Sequence, residues 1–402
     1  MEVHLHEWAN LLVRWIHVTT GIAWIGASFY FNWLENNLER QAQAEGVAGK
    51  LWAIHGGGFY FVQKYEVAPP ALPEHLHWFK WEAYFTWITG FTLLTIVYYM
   101  NARTMMIDPS VADITPWEAI TISIAVLIGS WFVYDGLCRS PLAKRPTLLA
   151  VVGFALLVLL TWALTHVFSG RAAYIQVGAA IGTCMVANVF RVIIPSQQAL
   201  VDAMSTGAAR DPALGRNALL RSRHNNYLTL PVLFMMISNH FPSTYASRWN
   251  WEILAALIVI SAGVRHYFNI RHLPDKKMWI LPIATVAMLV LAVITSPSVS
   301  SRLSGASGPD AANAALPPVS FTRVQHIVEM RCAVCHSAKP TEPGFTAPPL
   351  GIRLDSAAAI KAHEADINRV AVQAHYMPLA NLTHMTDAER QVLSRWIQAS
   401  KN

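Results

Sequence analysis

Charged residues are scarce in this chain. Asp, Glu, Lys and Arg make up 13% of its 402 residues, whereas hydrophobic residues make up 54%. Soluble domains carry about twice that share of charge. The composition therefore excludes an ordinary soluble protein and indicates that most of the chain lies in lipid. The net charge of +6 does not indicate nucleic-acid binding, because the basic residues stand in short loops between apolar segments, as membrane orientation requires.

Cysteine is rare as well, and we expect no cleavable signal peptide. Of four cysteines, two share one short motif, while Cys138 and Cys184 stand far upstream in apolar segments, so no disulfide pair is evident. The first seven residues have no basic n-region. The apolar stretch that follows is long enough to span a membrane, and we expect it to do so.

Eight apolar stretches approach the roughly 20 residues that a membrane span needs. They lie near residues 8–33, 80–100, 116–135, 147–168, 172–194, 225–241, 251–270 and 278–296. Loops rich and poor in Lys and Arg alternate between them, which places both termini outside the cytoplasm. The expected fold is all-α: a polytopic transmembrane helix bundle over residues 1–296, followed by a small domain.

A short motif near the C-terminus predicts a haem. Residues 297–319 are rich in Ser, Pro, Ala and Gly and read as a flexible linker. Beyond it, Cys332-Ala333-Val334-Cys335-His336 is a C-x-x-C-H motif, typical of c-type haem attachment. The two thiols would bind the haem vinyl groups, and His336 would be the proximal iron ligand. A thiol redox site lacks its βαβ context, and a zinc site lacks two further ligands.

The residues around this motif predict the rest of a small domain over 320–402. An apolar face at Val324, Ile327 and Val328 indicates a helix before the motif. Thr386 and Glu389 have capping-box spacing at the start of a last helix. The segment resembles a class I cytochrome c along its whole length, which implies one covalent haem c and a role in electron transfer.

The distal iron ligand has two candidates. Met377 stands in a Met-Pro pair and is the predicted ligand. Met385 is its rival, although its place just before a helix N-cap fits core packing better. A thioether ligand raises the iron potential and suits electron transfer.

Polar residues crowd the cytoplasmic mouths of spans two and six, where buried polarity usually marks a site. The first group is His77, Lys80 and Glu82. An interfacial aromatic belt explains the tryptophans beside them but not His77 and Glu82. The second group is Arg223, His224, Asn225 and Asn226, preceded by Arg221. Asn amides can bind both donors and acceptors of a planar polar ligand.

Other histidines leave alternatives open. His55 precedes three glycines that either let a backbone approach a ligand or form a plain turn. His17, His166 and His240 lie towards the outer face and either hold a b-type haem between helices or are single buried histidines. No spacing singles out a ligand pair.

Five motifs together resemble the membrane-bound urate hydroxylases, an eight-span membrane domain followed by a cytochrome c. They are Trp15-Ile16-His17, Trp24–Phe29, His55–Tyr60, Leu76–Glu82 and Asn225–Pro231. The resemblance covers essentially the whole chain. It implies oxidation of urate to 5-hydroxyisourate with water as the oxygen source, and electron transfer through haem c to the respiratory chain of a bacterial inner membrane.

We assign the site residues from chemistry. His55, His77, Glu82 and His224 are the candidates for proton transfer, whereas Lys80, Arg223, Asn225 and Asn226 are the candidates for binding urate. The expected partners are urate, the lipid bilayer, and a periplasmic cytochrome c or terminal oxidase as electron acceptor. The alternative is a non-catalytic electron-transfer subunit of a respiratory complex, in which the membrane part only anchors the cytochrome or carries haem b.

Overall fold

The protein is mostly helical in a computed structural model, which describes residues 2–41, 44–209, 211–273, 277–296, 299, 319–342, 345, 347–373 and 375–400. The long helices of the N-terminal part are α1 (Glu2–Asn37), α2 (Trp81–Leu93), α3 (Pro116–Arg139), α4 (Pro146–Thr165), α5 (Gly170–Asn188), α6 (Ile194–Thr206), α7 (Pro212–Ile237), α8 (Asn250–Ile270) and α9 (Ile280–Ile294). The π-helical turns are Leu94–Tyr99, Val189–Ile193 and Asn368–Gln373, and the short helices are Ala102–Met105, Pro141–Lys144, Ser238–His240, Pro242–Tyr245, Pro349–Gly351, Glu364–Ile367 and Leu379–Asn381.

Four helical segments among the described residues are long and apolar enough to cross a membrane. They are Pro116–Arg139, Pro146–Thr165, Gly170–Thr206 and Asn250–Ile270, and Ile280–Ile294 is a shorter apolar helix. The third of them joins α5 to α6 through the π-helical turn Val189–Ile193. All eight predicted spans fall on helices, but a count of eight crossings stays a prediction.

Helix α7 differs most from its predicted span, because it begins at Pro212 rather than near residue 225. Asp211 caps it by accepting a hydrogen bond from the Ala213 amide at 2.8 Å, and proline suits the first helical position. The polar stretch with its Arg and Asn residues is therefore helical and continuous with the apolar half. Hydropathy marks only the apolar half, so the predicted span covers only that part of the helix.

A β-hairpin interrupts the helices, so the all-α expectation is correct only for the helical majority. Strands β1 (Val47–His55) and β2 (Gly58–Tyr65) pair antiparallel, with His55 opposite Gly58. Gly56 and Gly57 form the turn with φ of 57° and 79°, as a tight two-residue hairpin loop requires. The glycines after His55 thus form a turn, the plainer of the two alternatives.

Helix α5 forms the centre of the bundle. Its residues Tyr174, Gln176, Val177 and Asn188 have no exposed surface, and α3, α4 and α7 pack around it. A Cβ at Gly178 would lie 2.9 Å from Cβ of Met235. Close approach of α5 and α7 therefore depends on this glycine.

The C-terminal segment has an apolar cluster of its own. Helices α10 (Phe321–Arg331), α11 (Ala357–Ala362) and α12 (Asp387–Ala399) contribute buried residues to it. The capping box at Thr386 is present: its side chain accepts from the Glu389 amide, and the Glu389 carboxylate accepts from the Thr386 amide. The predicted linker lies outside the described residues, except for residues 299 and 319.

Candidate functional site

A polar cluster lies where α3, α5 and α7 meet. Its members are Asn188, Arg221 and Asn225, which are buried, and Tyr134, Asp135 and His224, which are half-buried. Arg221 is only 1% exposed, and its Nη2 donates to Asp135 Oδ1 at 2.6 Å. Its Nη1 donates to Asn188 Oδ1 at 3.2 Å. The guanidinium therefore ties the three helices together.

Asn188 connects the two halves of the polar cluster. Its Nδ2 donates to the Tyr134 hydroxyl at 3.0 Å and to Asn225 Oδ1 at 2.8 Å. The Tyr134 hydroxyl lies 2.8 Å from His224 Nδ1, and Asn225 Nδ2 donates to the Met185 carbonyl at 2.9 Å. A continuous network thus runs from the Asp135 carboxylate to the His224 ring, and such networks hold their members rigidly.

Local structure explains why these side chains meet. Arg221, His224 and Asn225 are three and four residues apart and so share one side of α7. Asn188 is the last residue of α5, directly before the π-helical turn Val189–Ile193. Turns of this kind occur frequently at functional sites.

The Arg221 guanidinium has one donor that no described residue satisfies. Arg221 Nε is buried and has no hydrogen-bond partner among the residues that the structure describes. The guanidinium carbon lies 5.1 Å from the Tyr134 ring centre and 5.9 Å from that of Trp131. Leaving a buried donor unpaired is costly, so an acceptor oxygen of a bound ligand would be favoured here.

Asn226 faces a different helix from Asn225. Its Oδ1 accepts from Arg265 Nε at 3.0 Å and from Asn269 Nδ2 at 2.8 Å. Within the described ranges its Nδ2 has no partner, although the residue is fully buried. The Arg265 guanidinium lies 3.8 Å from the ring centre of Phe29. Asn225 therefore bonds to α5 and Asn226 to α8, and most hydrogen-bonding groups of the two amides already bond to protein atoms.

A polar cavity of about 670 Å³ opens beside α7. The residues that line it are Glu35, Asn36, Leu38, Glu39, Arg40, Gln41, Arg223, His272 and Leu273. Arg223, predicted to bind urate, lies on this cavity and not in the polar cluster, although His224 is next to it in the chain. The cavity offers water and polar solutes an approach to this end of α7.

The residues predicted at span two form a separate group. Lys80 Nζ lies 6.0 Å from the Trp78 ring centre and 5.6 Å from that of Trp81, and the His77 ring packs edge-on to Phe79 at 4.6 Å. Glu82 lies in the first turn of α2. This helix packs mainly against α1 and α5, and His55 is exposed at the end of β1. The structure therefore groups His224 with Asn225 and places the other candidates elsewhere.

The candidate ligands for a b-type haem are also dispersed. His17 Nδ1 lies 3.0 Å from the Thr86 carbonyl and 3.1 Å from Thr89 Oγ1, whereas His166 and His240 are exposed. Among the described residues, no group of three or more His, Cys, Asp or Glu side chains could hold a metal ion. A haem b in the bundle stays a prediction.

Sequence reasoning missed Tyr134, Asp135 and Asn188. Asp135 ends the third predicted span, and Asn188 lies inside the fifth. The rule that polar residues within spans mark sites applies to both. An acidic residue at the end of a span is interpreted as a charged residue of the following loop, however. Nothing in the local sequence links Asp135 to Arg221.

The C-x-x-C-H motif forms a helical turn that suits haem attachment. The His336 amide donates to the Cys332 carbonyl at 2.9 Å, so both thiols lie on one turn. His336 Nδ1 lies 3.0 Å from the Ile352 carbonyl; a proton donated there leaves Nε2 for iron, as in metal-binding histidines. Burial raises the pKa of Cys332 to about 12 and that of Cys335 to about 11, whereas thiol redox chemistry needs a lowered pKa. The donor set fits haem c.

The two candidate distal ligands have different environments. Met385 is 3% exposed and part of the apolar cluster. Met377 is half-buried at the edge of that cluster. Its carbonyl accepts from Arg390 Nη1 at 2.8 Å, and its amide donates to the Val370 carbonyl at 2.9 Å. The backbone of Met377 is therefore held while its side chain stays available.

Comparison with known families decides what the helical part is. The family described as urate oxidase N-terminal matches residues 3–296, which include α1 to α9 and the polar cluster. The chain belongs to the urate oxidase N-terminal family. Membership indicates an oxidoreductase that acts on urate, and the C-x-x-C-H motif lies beyond the matched residues. No curated protein and no solved structure matches the chain.

Proposed function

We propose that the protein is a membrane-bound urate hydroxylase linked to haem c. One observation carries this proposal: a single chain joins a urate oxidase N-terminal part to a C-x-x-C-H motif whose His336 leaves Nε2 for iron. The reaction is urate plus water giving 5-hydroxyisourate, two protons and two electrons. A bound haem c would take up these electrons, and the acceptor that we expect beyond it is a periplasmic cytochrome c or a terminal oxidase.

The polar cluster is the proposed urate site. Urate is a planar anion with several carbonyl oxygens. The Nε of buried Arg221, which has no hydrogen-bond partner among the described residues, would donate to one of them. His224, held through Nδ1 by the Tyr134 hydroxyl, would take a proton at Nε2 as water adds, which is the usual task of a positioned histidine. His77, Lys80 and Glu82 near α2, and His55 in the hairpin, keep their predicted roles as alternatives.

The residues that hold the haem follow from the C-terminal geometry. Cys332 and Cys335 would bind it covalently, and His336 and Met377 would be the axial ligands. When bound, the haem supplies a one-electron acceptor of raised potential. The chain contributes the fixed His336 ring and the backbone bonds that hold Met377.

The proposed location is a bacterial inner membrane with eight spans and both termini periplasmic. Alternation of the basic loops supports this orientation. A reporter fused after residue 402 would then be active only outside the cytoplasm, and one inserted near Ala44 only inside. Activity of both reporters on the same side would contradict an even number of spans.

The deciding experiment is anaerobic addition of urate to the purified full-length protein. The haem spectrum should become reduced, and product formed in ¹⁸O-labelled water should carry the label. His224→Gln should slow this reduction about 10²-fold or more, whereas His326→Gln, at an exposed position on α10, should not. A haem that dithionite reduces but urate does not would favour the non-catalytic electron-transfer subunit.

A further inference from the structure

A junction of three side chains connects the C-terminal segment to the helical bundle. Arg171, in the first turn of α5, donates a hydrogen bond to the Tyr376 hydroxyl. The guanidinium carbon lies 5.0 Å from the Tyr376 ring centre and 6.0 Å from that of Tyr245. The two tyrosine rings pack nearly perpendicular, with centroids 6.0 Å apart. We call these three residues the docking junction.

The bundle side of the docking junction is rigid. Tyr245 is 3% exposed and packs against Tyr174, with ring centroids 6.2 Å apart. The Tyr174 hydroxyl donates to the Asn250 carbonyl at 2.6 Å. A Cβ at Gly170 would lie 2.1 Å from the Tyr245 carbonyl oxygen. The start of α5 and the loop before α8 are therefore packed backbone to backbone, and Arg171 projects from a fixed base.

The other side of the docking junction is the loop that carries the proposed distal ligand. Tyr376 directly precedes Met377 in the chain. Bonds to Arg390 and Val370 hold the Met377 backbone. Contacts that fix Tyr376 against the bundle would therefore also fix the place at which Met377 could bind a haem iron.

The docking junction lies at the opposite end of α5 from the polar cluster. Arg171 and Asn188 are 17 residues apart on one continuous helix, which corresponds to about 26 Å along its axis. A change in the junction should therefore alter the arrival of electrons at the haem without altering urate binding.

We propose that Arg171 is a positioning residue that seats the distal-ligand loop on the bundle, so that electrons leaving the helical part enter haem c from its Met377 side. This inference rests on the proposed function. In each turnover two electrons leave urate and the iron is reduced twice from Fe³⁺ to Fe²⁺, with reoxidation by the external acceptor between. Arg171 exchanges no electron or proton. It keeps the distal-ligand loop at a fixed distance from the bundle.

The first test compares two reductants of the same haem. In Arg171→Gln, reduction by urate at saturation should slow about tenfold or more, because small displacements strongly reduce rates. The KM for urate, the haem content and the reduction by ascorbate, which reaches the haem from solution, should stay as in the wild type. Arg171→Lys should restore only part of the rate, because lysine lacks the planar fork.

Arg248→Gln is the matched control. Arg248 stacks on a neighbouring ring at the same end of the bundle, with its guanidinium carbon 4.8 Å from the Trp249 ring centre. We expect this variant to match the wild type. Urate-driven reduction in Arg171→Gln at the wild-type rate would overturn the proposal, as would an equal slowing with ascorbate.

The second test does not depend on urate. Tyr376 of the full-length protein is replaced by p-azidophenylalanine, irradiated and digested, and the cross-linked peptides are identified by mass spectrometry. Cross-links to peptides containing Arg171 or Tyr245 would support the docking junction, whereas cross-links confined to residues 319–400 would overturn it. If urate failed to reduce the haem of the wild-type protein, that result would count against the proposed function. The cross-links would still decide whether Tyr376 contacts the bundle.

Discussion

The C-x-x-C-H motif and the polar cluster differ in how their functional residues are distributed along the chain. The motif holds its two thiols and His336 within five consecutive residues on one turn. The polar cluster takes its side chains from three helices, and its ion pair joins Asp135 to Arg221 across 86 positions. A site on one turn is defined by local geometry, whereas a site between helices exists only when the helices pack. The two regions should therefore respond differently to substitution.

The largest effect should come from removing both thiols of the motif. Cys332→Ala with Cys335→Ala should abolish covalent haem, and with it any urate-driven change in the haem spectrum. Haem staining of a denaturing gel measures this. Cys184→Ala, at a buried position in α5, should keep its haem; loss of staining there would show that attachment depends on the bundle and would weaken the comparison.

The next largest effect should come from the buried ion pair of the polar cluster. Asp135 binds two arginines at 2.6 Å, of which Arg221 is 1% exposed and Arg139 is 70% exposed. Asp135→Asn leaves the buried guanidinium without its carboxylate, which typically costs about 3–5 kcal/mol. We expect lower thermal stability in detergent and at least about 10²-fold slower urate oxidation, with normal haem staining.

Arg139→Gln provides the control for that variant, because it removes the exposed partner of the same carboxylate. Surface ion pairs contribute about 0–1 kcal/mol, so this variant should resemble the wild type. Equal losses in the two variants would show that the buried pair does not organise the polar cluster.

Asn225→Ala should have a smaller effect on the same region. It removes the acceptor for Asn188 and the donor to the Met185 carbonyl. The expected cost is about 1–3 kcal/mol, or roughly ten- to a hundredfold in kcat/KM. Asn32→Ala, which removes an amide that donates to the Ser28 carbonyl of its own helix, is the control. Unchanged kinetics in Asn225→Ala would move the urate site towards His17, His166 and His240.

The methionine variants test which of the two methionines is the distal ligand of the haem iron. Met377→Ala should remove the methionine-to-iron absorption band and lower the haem potential. Met385→Ala should keep the band while costing about 2–5 kcal/mol of stability, because Met385 is buried in the apolar cluster. Loss of the band in Met385→Ala alone would reverse the assignment.

The smallest effect should come from the capping box of α12. Burial raises the pKa of Glu389, but hydrogen bonds from Thr386 and Arg331 outweigh it and hold the pKa below its ordinary value of 4.5. A depressed pKa contributes stability above 4.5 that is lost as the pH falls through the folded value. Glu389→Gln should lose about 1 kcal/mol at neutral pH and show a flatter decline in acid.

This last effect is measured by monitoring the denaturation of the C-terminal segment with circular dichroism at a series of pH values. Glu329→Gln, an exposed substitution on α10, is the control. A decline below pH 4.5 as steep in Glu389→Gln as in the wild type would assign the acid sensitivity to another carboxylate.

The sequence by itself determined those structural features that depend only on residues close together in the chain. Composition and apolar length predicted a membrane-bound helical protein, and the family match with four membrane-length helices agrees at that level. The capping box at Thr386 and the helical turn at Cys332 also followed from spacing, because hydrogen bonds within one turn join residues three or four positions apart. His224 and Asn225 were predicted for their polarity, and the structure joins them in one network.

Only the tertiary structure decided which distant groups meet. Asp135 and Asn188 complete the network of Arg221, whereas Asn226 turns to α8 and Lys80 packs on its neighbouring tryptophans. The β-hairpin and the contact of Arg171 with Tyr376 were not predicted either. Hydrophobic periodicity reports that a helix has a buried side but not which helix covers it. The partner of a buried polar group is set by the packing of helices that lie far apart in the chain, and the spacing of residues along the sequence does not encode it.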